Sequence, residues 1–172
     1  MMRLENEMVG LRAIEPIDVD VLFDVENDLD LWKYSNRSQP YSKDLLQRYI
    51  DHAHRDIFET RQIKFTLIDQ EATPIGFIDL FDYEPLHHRA GVGLVILKEK
   101  QSKGYGAAAL ELIGVYAKKY LQLHQLFAHI ASENTKSIRL FEAQGYVFVG
   151  TKKEWNFYEG QFQDESTFQK IF

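Results

Sequence analysis

The chain has 172 residues, a formal net charge of −6 and no cysteine. The acidic balance argues against a nucleic-acid-binding surface, and the lack of thiols excludes disulfides, thiolate metal sites and a cysteine nucleophile. No apolar run approaches the roughly 20 residues that cross a bilayer, and the N-terminus has no apolar signal segment. We therefore expect one cytoplasmic domain over residues 1–172, with neither nucleic acid nor membrane as a partner.

The N-terminal part predicts a strand followed by a helix. Residues 8–14 predict the strand, and the helix begins near Glu15 and Pro16, because proline is favoured in a first turn. Apolar residues from Ile17 onward recur at helical spacing. The carboxylates between residues 24 and 30 are interpreted as a solvated helix face rather than as a cation site.

The next segments predict an irregular stretch, a helix and a hairpin. Residues 31–41 mix aromatic residues with Ser, Asn and Pro and are expected to be irregular. Residues 42–60 place their apolar side chains on one helical face, with Ser42 as a favourable N-cap. Residues 63–69 and 74–83 predict the two strands of a β-hairpin.

Two carboxylates interrupt the second strand of that hairpin. Asp79 and Asp82 lie in a largely apolar run, and burying an unpaired carboxylate is costly. One explanation is an edge strand whose polar side faces water, and this explanation suits Asp82. Asp79 lies farther from the turn and is the better functional candidate.

Residues 91–110 run from an apolar strand through a lysine-bearing loop into a helix. The loop contains Lys98, Lys100 and Lys103, and Gly104 and Gly106 precede a run of alanine. The first turn of a helix has unpaired N–H groups and a partial positive charge, and glycines let a phosphate approach them closely. This order therefore predicts a site for a phosphate-bearing ligand.

Two familiar phosphate loops fit this stretch poorly. The mononucleotide loop needs a glycine followed by Lys and then Ser or Thr, which is absent from this frame. The dinucleotide fingerprint matches at Gly104, Gly106 and Ala109, but the acidic residue expected about 20 residues further on is missing.

The remaining chain predicts a helix over residues 105–120, a strand over 124–131 and a helix over 134–144 that ends at Gly145. Residues 146–158 and 161–172 predict a final hairpin. The six histidines have no metal-binding spacing, because neighbouring ones point apart, so no metal site is expected.

Two motifs together identify a family resemblance. Gln101-Ser-Lys-Gly104-Tyr-Gly106 resembles the coenzyme A pyrophosphate loop of the GNAT N-acetyltransferase superfamily. Residues 134–146, from Asn134 to Tyr146, resemble its second acetyl-CoA segment. The resemblance covers nearly the whole chain and is closest to the ribosomal-protein-alanine and spermidine (diamine) acetyltransferase branch.

The resemblance implies a mixed α/β fold and an acetyl-transfer reaction. The expected domain has a central, mostly antiparallel sheet of six to seven strands with a splayed central pair and helices on both faces, and the strand of that pair that contains Gly91 and Gly93 is expected to bulge. The expected activity moves acetyl directly from acetyl-CoA to a primary amine, which is a small amine, a polyamine or a protein N-terminus. A homodimer or higher homo-oligomer is a further possibility, for which the aromatic C-terminal strands offer an edge.

The resemblance also implies roles for individual residues. Backbone groups of the central strand would pair with the pantetheine arm, and loop amides would hold the pyrophosphate. Asn134 would bond the arm, and Ser137 and Phe141 would flank its thiol end. Asp79 is the candidate base or amine anchor, with Asp82 and Glu84 as weaker ones. The strand and loop residues are Leu94, Val95, Ile96, Gln101, Ser102, Lys103, Gly104, Tyr105, Gly106 and Ala107.

The chain departs from the family pattern at two places. Many relatives have a tyrosine acid at the position of Phe141, so Ser137, Tyr146, water or unassisted departure of the thiolate must replace it. Spermidine acetyltransferases have a carboxylate where this chain has Gly91, and paired acids where it has Ser38 and Gln39. A non-catalytic acyl-CoA-binding module and a dinucleotide-binding protein are the alternative functions.

Overall fold

A computed structural model describes residues 4–35 and 37–172 and contains one seven-stranded sheet, in the order β1-β2-β3-β4-β5-β7-β6. The strands are β1 Gly10–Ala13, β2 Ile63–Ile68, β3 Pro74–Glu84, β4 Arg89–Ile96, β5 Gln125–Ala131, β6 Val147–Tyr158 and β7 Gln161–Ile171. The helices are α1 Val19–Glu26, α2 Leu29–Ser35, α3 Lys43–His52, α4 Ile57–Thr60, α5 Tyr105–Lys119 and α6 Thr135–Ala143. The predicted mixed α/β fold is confirmed.

The central strands β4 and β5 separate along their length. They are the parallel pair of an otherwise antiparallel sheet, and their pairing runs only from Arg89↔Gln125 to Gly91↔Phe127. β4 continues to Ile96, still paired with β3 on its other side. The edge of β4 beyond Gly91 is therefore open, and we call this opening the β4–β5 cleft. The predicted splayed pair is confirmed.

Helices cover both faces of the sheet, as predicted. Alternation along β3 sends Ile78 to the face that packs with α5, and Phe77 to the face that packs with α1 and α3. Leu22 of α1 and Leu46 of α3 are buried beside Phe77, and full burial of such a side chain contributes about 1.5–3 kcal/mol. These two helices leave the sheet's second half uncovered on their face.

The N-terminal helices differ from the predicted ones. Residues 31–35, expected to be irregular, belong to α2, because Asp28 Oδ1 accepts a hydrogen bond from the Asp30 amide as a helix cap does. Ser42 caps α3 as predicted, accepting from the Leu45 amide at 3.1 Å. The predicted helix 42–60 is wrong beyond His52: Asp56 accepts from the Phe58 amide and starts the separate turn α4.

The bulge expected on β4 lies instead on β3. The register between β3 and β4 shifts between Phe81 and Glu84, where Asp82 adopts a left-handed φ of 46°. Glycine at position 91 of β4 is explained by packing instead of a bulge, because a Cβ there would overlap the rings of Phe81 and Phe127, which pack edge to face.

The buried carboxylate of Asp18 connects the first turn after β1 to the sheet through hydrogen bonds. Asp18 is 1% exposed and accepts two hydrogen bonds of 2.7 Å from the Arg12 guanidinium. It also accepts from the Thr66 hydroxyl at 2.9 Å and from the Glu15 amide. These bonds satisfy the carboxylate in the core. Within the described ranges, 4–35 and 37–172, no helix is long and apolar enough to span a membrane.

Candidate active site

The open edge of β4 forms one wall of the β4–β5 cleft. Leu94, Val95 and Ile96 pair with β3 through one edge, and their other edge faces away from any strand. Their side chains are partly buried, so their backbone groups are what the cleft offers to a ligand. An extended chain can add to such an edge as a further strand. The pantetheine role of these three residues remains a prediction.

The loop after β4 is fastened to both sides of the cleft by one side chain. Gln101 donates from Nε2 to the carbonyl oxygen of Ile96 at 3.0 Å. Its Oε1 accepts a hydrogen bond of 2.8 Å from Lys136 Nζ on α6. The loop is thereby attached to the end of β4 and to the start of α6.

The start of α5 presents free amides beside this loop. Gly104 is the N-cap with a left-handed φ of 86°, and the Ala108 amide makes the first hydrogen bond of the helix, to the Gly104 carbonyl at 3.2 Å. The amides of the first turn precede that bond and have no partner within the helix. Ser102, Lys103 and Gly104 are exposed, whereas Tyr105, Gly106 and Ala107 are partly buried.

The three loop lysines are not equivalent. Lys98 pairs with Asp30 at 3.3 Å and Lys100 pairs with Asp69 at 3.2 Å. Lys103 is exposed, and within residues 4–35 and 37–172 it has no carboxylate within ion-pair distance. Lys103 is therefore the loop lysine whose charge is available to a phosphate.

The second predicted segment begins as a capped helix. Asn134 Oδ1 accepts from the Ser137 amide at 3.2 Å, so this side chain caps α6. The amide nitrogen of Asn134 remains a donor that can face a ligand. Gly145 ends the helix with a φ of 84°, as its predicted C-cap role requires.

Phe141 and Tyr146 form a buried aromatic pair. Phe141 is 4% exposed and packs against Tyr146 edge to face, with ring centroids 5.0 Å apart. Tyr146 is buried behind it, and within the described part of the chain its hydroxyl has no hydrogen-bond partner. Burial raises the pKa of Tyr146 well above its ordinary value. Ser137, partly buried on the first turn of α6, is the more accessible hydroxyl of the two considered as a proton donor.

Asp79 lies at the apex of the cleft. It pairs in register with Gly93, two residues beyond the last β4–β5 pair at Gly91. A Cβ on Gly93 would lie 2.9 Å from Oδ1 of Asp79. The Asp79 side chain is 29% exposed, and Lys64 Nζ of β2 lies 3.4 Å from Oδ1. The carboxylate is thus reachable and holds one internal cation.

A cavity of about 530 Å³ opens beside Asp79, between the sheet and helices α1 and α3. We call it the α1–α3 cavity, and its size is that of a small-molecule site. A second carboxylate, Glu26, lines it and pairs with Arg37. The Arg37 guanidinium also lies over the ring of Tyr41, 4.7 Å from its centroid. Two residues of the segment that was expected to be irregular, Arg37 and Tyr41, therefore line this cavity.

The weaker carboxylate candidates lie outside this cavity. Asp82 is exposed on the β3 bulge, and Glu84 is paired with Arg61. Neither belongs to the lining of the α1–α3 cavity. The aromatic pair of Phe81 and Phe127 fills the space over Gly91, which leaves no room there for an acidic side chain.

Four residues of the cavity were not identified from the sequence. Glu26 lies within the acidic run that was interpreted as a solvated face, and Arg37 lies within the segment, residues 31–41, that was expected to be irregular. Lys64 and Tyr49 were assigned to a strand and a helix without a role. The position of Lys64 could have been predicted from the sequence, because aligning the two strands of the predicted hairpin places Lys64 directly opposite Asp79.

Nearby charges and burial in the cavity change the pKa values of two side chains, Lys64 and Tyr49. Burial alone lowers the pKa of Lys64, but the nearby Asp79 carboxylate, with Tyr49 and Glu26, outweighs it, so the net pKa is raised. Burial raises the pKa of Tyr49. At neutral pH Lys64 is therefore an ammonium and Tyr49 a neutral phenol.

These features fit acetyl-CoA as the substrate. An open strand edge suits the amide-bearing pantetheine arm, and the free amides of α5 with Lys103 suit its pyrophosphate. Gly104 keeps this approach open, because its left-handed backbone excludes most side chains. The site joins a cofactor cleft to an acceptor-sized cavity through Asp79.

Comparison with known proteins supports the same assignment. The family model for the acetyltransferase (GNAT) domain matches residues 9–147. A spermidine N(1)-acetyltransferase of Vibrio cholerae is 28% identical over 161 residues, covering 92% of this chain and 90% of that protein. The crystal structure of spermidine N-acetyltransferase from Vibrio cholerae in complex with CoA and spermine is similar with a TM-score of 0.88, at 27% identity and 96% coverage of both chains. A dodecameric structure of that enzyme gives a TM-score of 0.80, at 28% identity and coverage of 96% and 95%.

Proposed function

The chain belongs to the GNAT acetyltransferase family, and from this membership we propose that Asp79 prepares the acceptor amine for acetyl transfer. The protein is an N-acetyltransferase that takes its acetyl group from acetyl-CoA. The observation that carries the proposal is the position of Asp79, which lines the α1–α3 cavity and lies opposite Gly93 of β4, where β4 is no longer paired with β5.

The acceptor that the cavity favours is a primary amine of a small cation, with polyamines first. Asp79 is the carboxylate of this cavity that an ammonium group can reach, because its side chain is 29% exposed, whereas Glu26 is paired with Arg37. The Vibrio cholerae relatives are spermidine acetyltransferases, which supports the same class. A protein N-terminus is the alternative acceptor.

The reaction needs a neutral amine at the thioester. A lysine-like amine has a pKa near 10.4, so neutralising it at pH 7 costs roughly 4–5 kcal/mol. Asp79 accepts this proton, directly or through a water, as the amine nitrogen bonds to the acetyl carbon. The carbon–sulfur bond then breaks and the coenzyme leaves as a thiolate. A thiol pKa near 8.5 makes this a tolerable leaving group, which takes its proton from water or from Ser137.

The coenzyme is held by the residues that resemble the family motifs. Backbone groups of Leu94, Val95 and Ile96 bind the pantetheine arm, and Asn134 donates to it. Ser137 and Phe141 border its thiol end. The pyrophosphate is bound by amides of the loop and first turn, namely those of Gln101, Ser102, Lys103, Gly104, Tyr105, Gly106 and Ala107.

Two measurements test this function. Calorimetric titration with acetyl-CoA measures cofactor binding, and a thiol-release assay then compares spermidine, spermine, a simple diamine and a peptide with a free N-terminus. We expect acetyl-CoA binding and release of thiol with at least one polyamine at a higher kcat/KM than with the peptide. Binding without thiol release for any amine would indicate a non-catalytic acyl-CoA-binding module.

We also propose that the protein is a homo-oligomer. The β6–β7 hairpin exposes large apolar side chains, with Trp155, Phe157 and Phe162 each more than half exposed. Such a surface is typical of a protein contact, and the Vibrio cholerae enzyme has a dodecameric structure. Light scattering after size-exclusion chromatography would give the mass, and a monomer at micromolar concentration would contradict the proposal.

A further inference from the structure

The α1–α3 cavity already contains a cation for each of its carboxylates. Arg37 pairs with Glu26, and Lys64 lies 3.4 Å from Asp79. The Lys64 side chain is only 18% exposed. An acceptor amine that approaches Asp79 therefore meets a carboxylate that is already paired with the ammonium group of Lys64.

The position of Lys64 is fixed by the sheet. Lys64 of β2 pairs in register with Asp79 of β3, so their side chains lie next to each other on the same face. Gly93 follows Asp79 in the next strand and contributes no side chain. Lys64 thus cannot move far from the carboxylate unless the hairpin itself is rearranged.

The other charged groups around this pair are accounted for. Glu26 of α1 and Arg37 neutralise each other, and Arg48 at the end of α3 pairs with Asp44. Tyr49 is the phenol of α3 nearest to the pair, and its pKa is raised by burial. The remaining titratable groups of the lining are His52, whose Nδ1 contacts the Arg48 carbonyl, and Tyr41, whose ring lies against the Arg37 guanidinium.

We propose that the Lys64 ammonium, held beside Asp79, lowers the pKa of the acceptor amine and so favours its neutral, nucleophilic form. This inference rests on the proposed role of Asp79 as the group that receives the acceptor. Two ammonium groups on one carboxylate would lie within about 6 Å, a separation at which like charges disfavour the charged form of either. Lys64 retains its proton, since its pKa is raised and its location is fixed, so the freely arriving amine is the one that loses its proton.

The expected size of the effect is moderate. Unit charges about 6 Å apart in a partly solvated site shift a pKa by about one to two units, which changes the neutral fraction about 10- to 100-fold. Nucleophiles activated by a neighbouring cation are known in enzymes.

The experiment compares the wild type with Lys64→Met, which keeps the length of the side chain and removes its charge. Lys64→Arg keeps the charge and is the rescue variant. Lys153→Met, at a lysine exposed on β6, is the matched control. Circular dichroism and thermal unfolding establish that each variant is folded, and Lys64→Gln, which also removes the charge, carries the test if Lys64→Met is not folded.

The first readout needs no turnover. Calorimetry of spermidine binding to the protein with CoA, at pH 8 in buffers of different ionisation heat, counts the protons released on binding. A pKa lowered from about 10.4 by one to two units predicts that the wild type, Lys64→Arg and Lys153→Met release about 0.04–0.3 proton per spermidine bound. Lys64→Met should release almost none and bind spermidine more tightly, because the free carboxylate accepts the charged amine.

The second readout is the pH profile of thiol release. The apparent pKa of the acidic limb of kcat, which reports groups in the enzyme–substrate complex, should rise by about one to two units in Lys64→Met and return in Lys64→Arg. At neutral pH, kcat should fall while KM also falls, and alkaline pH should restore the rate.

The outcomes separate the two proposals. If amines are acetylated but Lys64→Met leaves both proton release and the acidic limb unchanged, the Lys64 inference is wrong and the function stands. If the wild type neither binds nor acetylates any amine, the proposed function fails and the inference falls with it. An equal loss of rate at every pH would show that Lys64 has only a structural role.

Discussion

Asp79 on β3 lies directly opposite Gly93 on β4, and a Cβ on Gly93 would lie 2.9 Å from Oδ1 of Asp79. The missing side chain therefore leaves the carboxylate room at the apex of the β4–β5 cleft. A glycine that looked like a weakness in a central strand is needed by the residue across from it. The position of Asp79 depends on this neighbour.

Replacing Gly93 by alanine should displace the Asp79 carboxylate without altering the cofactor loop. We expect kcat/KM for the amine to fall by up to about 10²-fold, the typical effect of a ~1 Å misplacement. The Kd for acetyl-CoA should change little. Gly150→Ala is the control, because a Cβ there has no neighbour within 4 Å. A Gly93→Ala enzyme of normal activity would show that the close approach is unimportant.

Asp79→Asn should remove the proton acceptor and keep the shape of the side chain. Because a positioned base typically contributes ~10²–10⁴ in rate, kcat/KM should fall within that range. Asp82→Asn, on the exposed bulge with a φ of 46° that asparagine tolerates, should retain nearly full activity. Steady-state kinetics of both variants decide between the two carboxylates, and equal losses would argue against a special role for Asp79.

Gly104→Ala tests the pyrophosphate loop. A left-handed backbone costs an alanine roughly 1–2 kcal/mol, which corresponds to about tenfold weaker acetyl-CoA binding if the loop shifts to relieve it. Gly160→Ala carries the same strain at a φ of 80° in a turn with open space around it. Gly160→Ala should lower stability without changing the Kd measured by calorimetry. Loss of binding in both variants would mean that strain alone is responsible.

Tyr146→Phe should stabilise the protein. The Tyr146 hydroxyl is buried and lacks a partner within residues 4–35 and 37–172, and an unsatisfied buried group costs about 1–3 kcal/mol. We expect an unfolding midpoint higher by several degrees, about 2–4 °C for each kcal/mol in a chain of this size. Activity should be retained, since Phe141 stands between this residue and the cleft. A large drop in kcat would instead identify Tyr146 as the acid.

Asp18 should make stability depend on acidic pH. Burial raises its pKa, but the Arg12 hydrogen bonds, the Glu15 amide and the Thr66 hydroxyl outweigh that, so the folded pKa lies below the ordinary value of 3.8. A lowered folded pKa means stabilisation that is present above the unfolded pKa and lost as the pH falls through the folded one.

Urea unfolding at pH 7 and pH 3 measures this effect. Asp18→Asn should lose about 1.5–3 kcal/mol at pH 7 and much less at pH 3, because hydrogen bonds to charged groups are worth that much. Asp20→Asn, whose carboxylate is exposed and pairs with Lys43, should lose little at either pH. A pH-independent deficit in Asp18→Asn would contradict the assignment.

Local chemistry explains which parts of the fold were predictable. Ser42 starts a helix because its side chain caps the first turn, and Gly145 ends one because glycine readily adopts a left-handed backbone. Both residues lie where the sequence predicted a helix end. The helix α2 was not predicted, because its cap residue, Asp28, lies among several acidic residues and nothing in the sequence distinguishes it from them as a helix start. The interruption at Asp56 was missed because it depends on a side chain competing with an otherwise regular helical pattern.

The candidate site was predictable on the cofactor side only. Asp79 and Gly104 lie in contiguous motifs whose chemistry can be deduced from neighbours in the chain. Glu26, Arg37 and Lys64 come from three separate elements and meet only when α1 and the β2–β3 hairpin are assembled. Such a set of charges carries no sequence spacing, so tertiary structure is needed to find it.

The two hydrogen bonds of Gln101 have a thermodynamic consequence. Because its amide connects Ile96 and Lys136, the turn that we propose receives the diphosphate is already preorganised. Little entropy is then lost by ordering backbone when the nucleotide arrives. The favourable energy of the phosphate contacts can consequently appear almost fully as affinity.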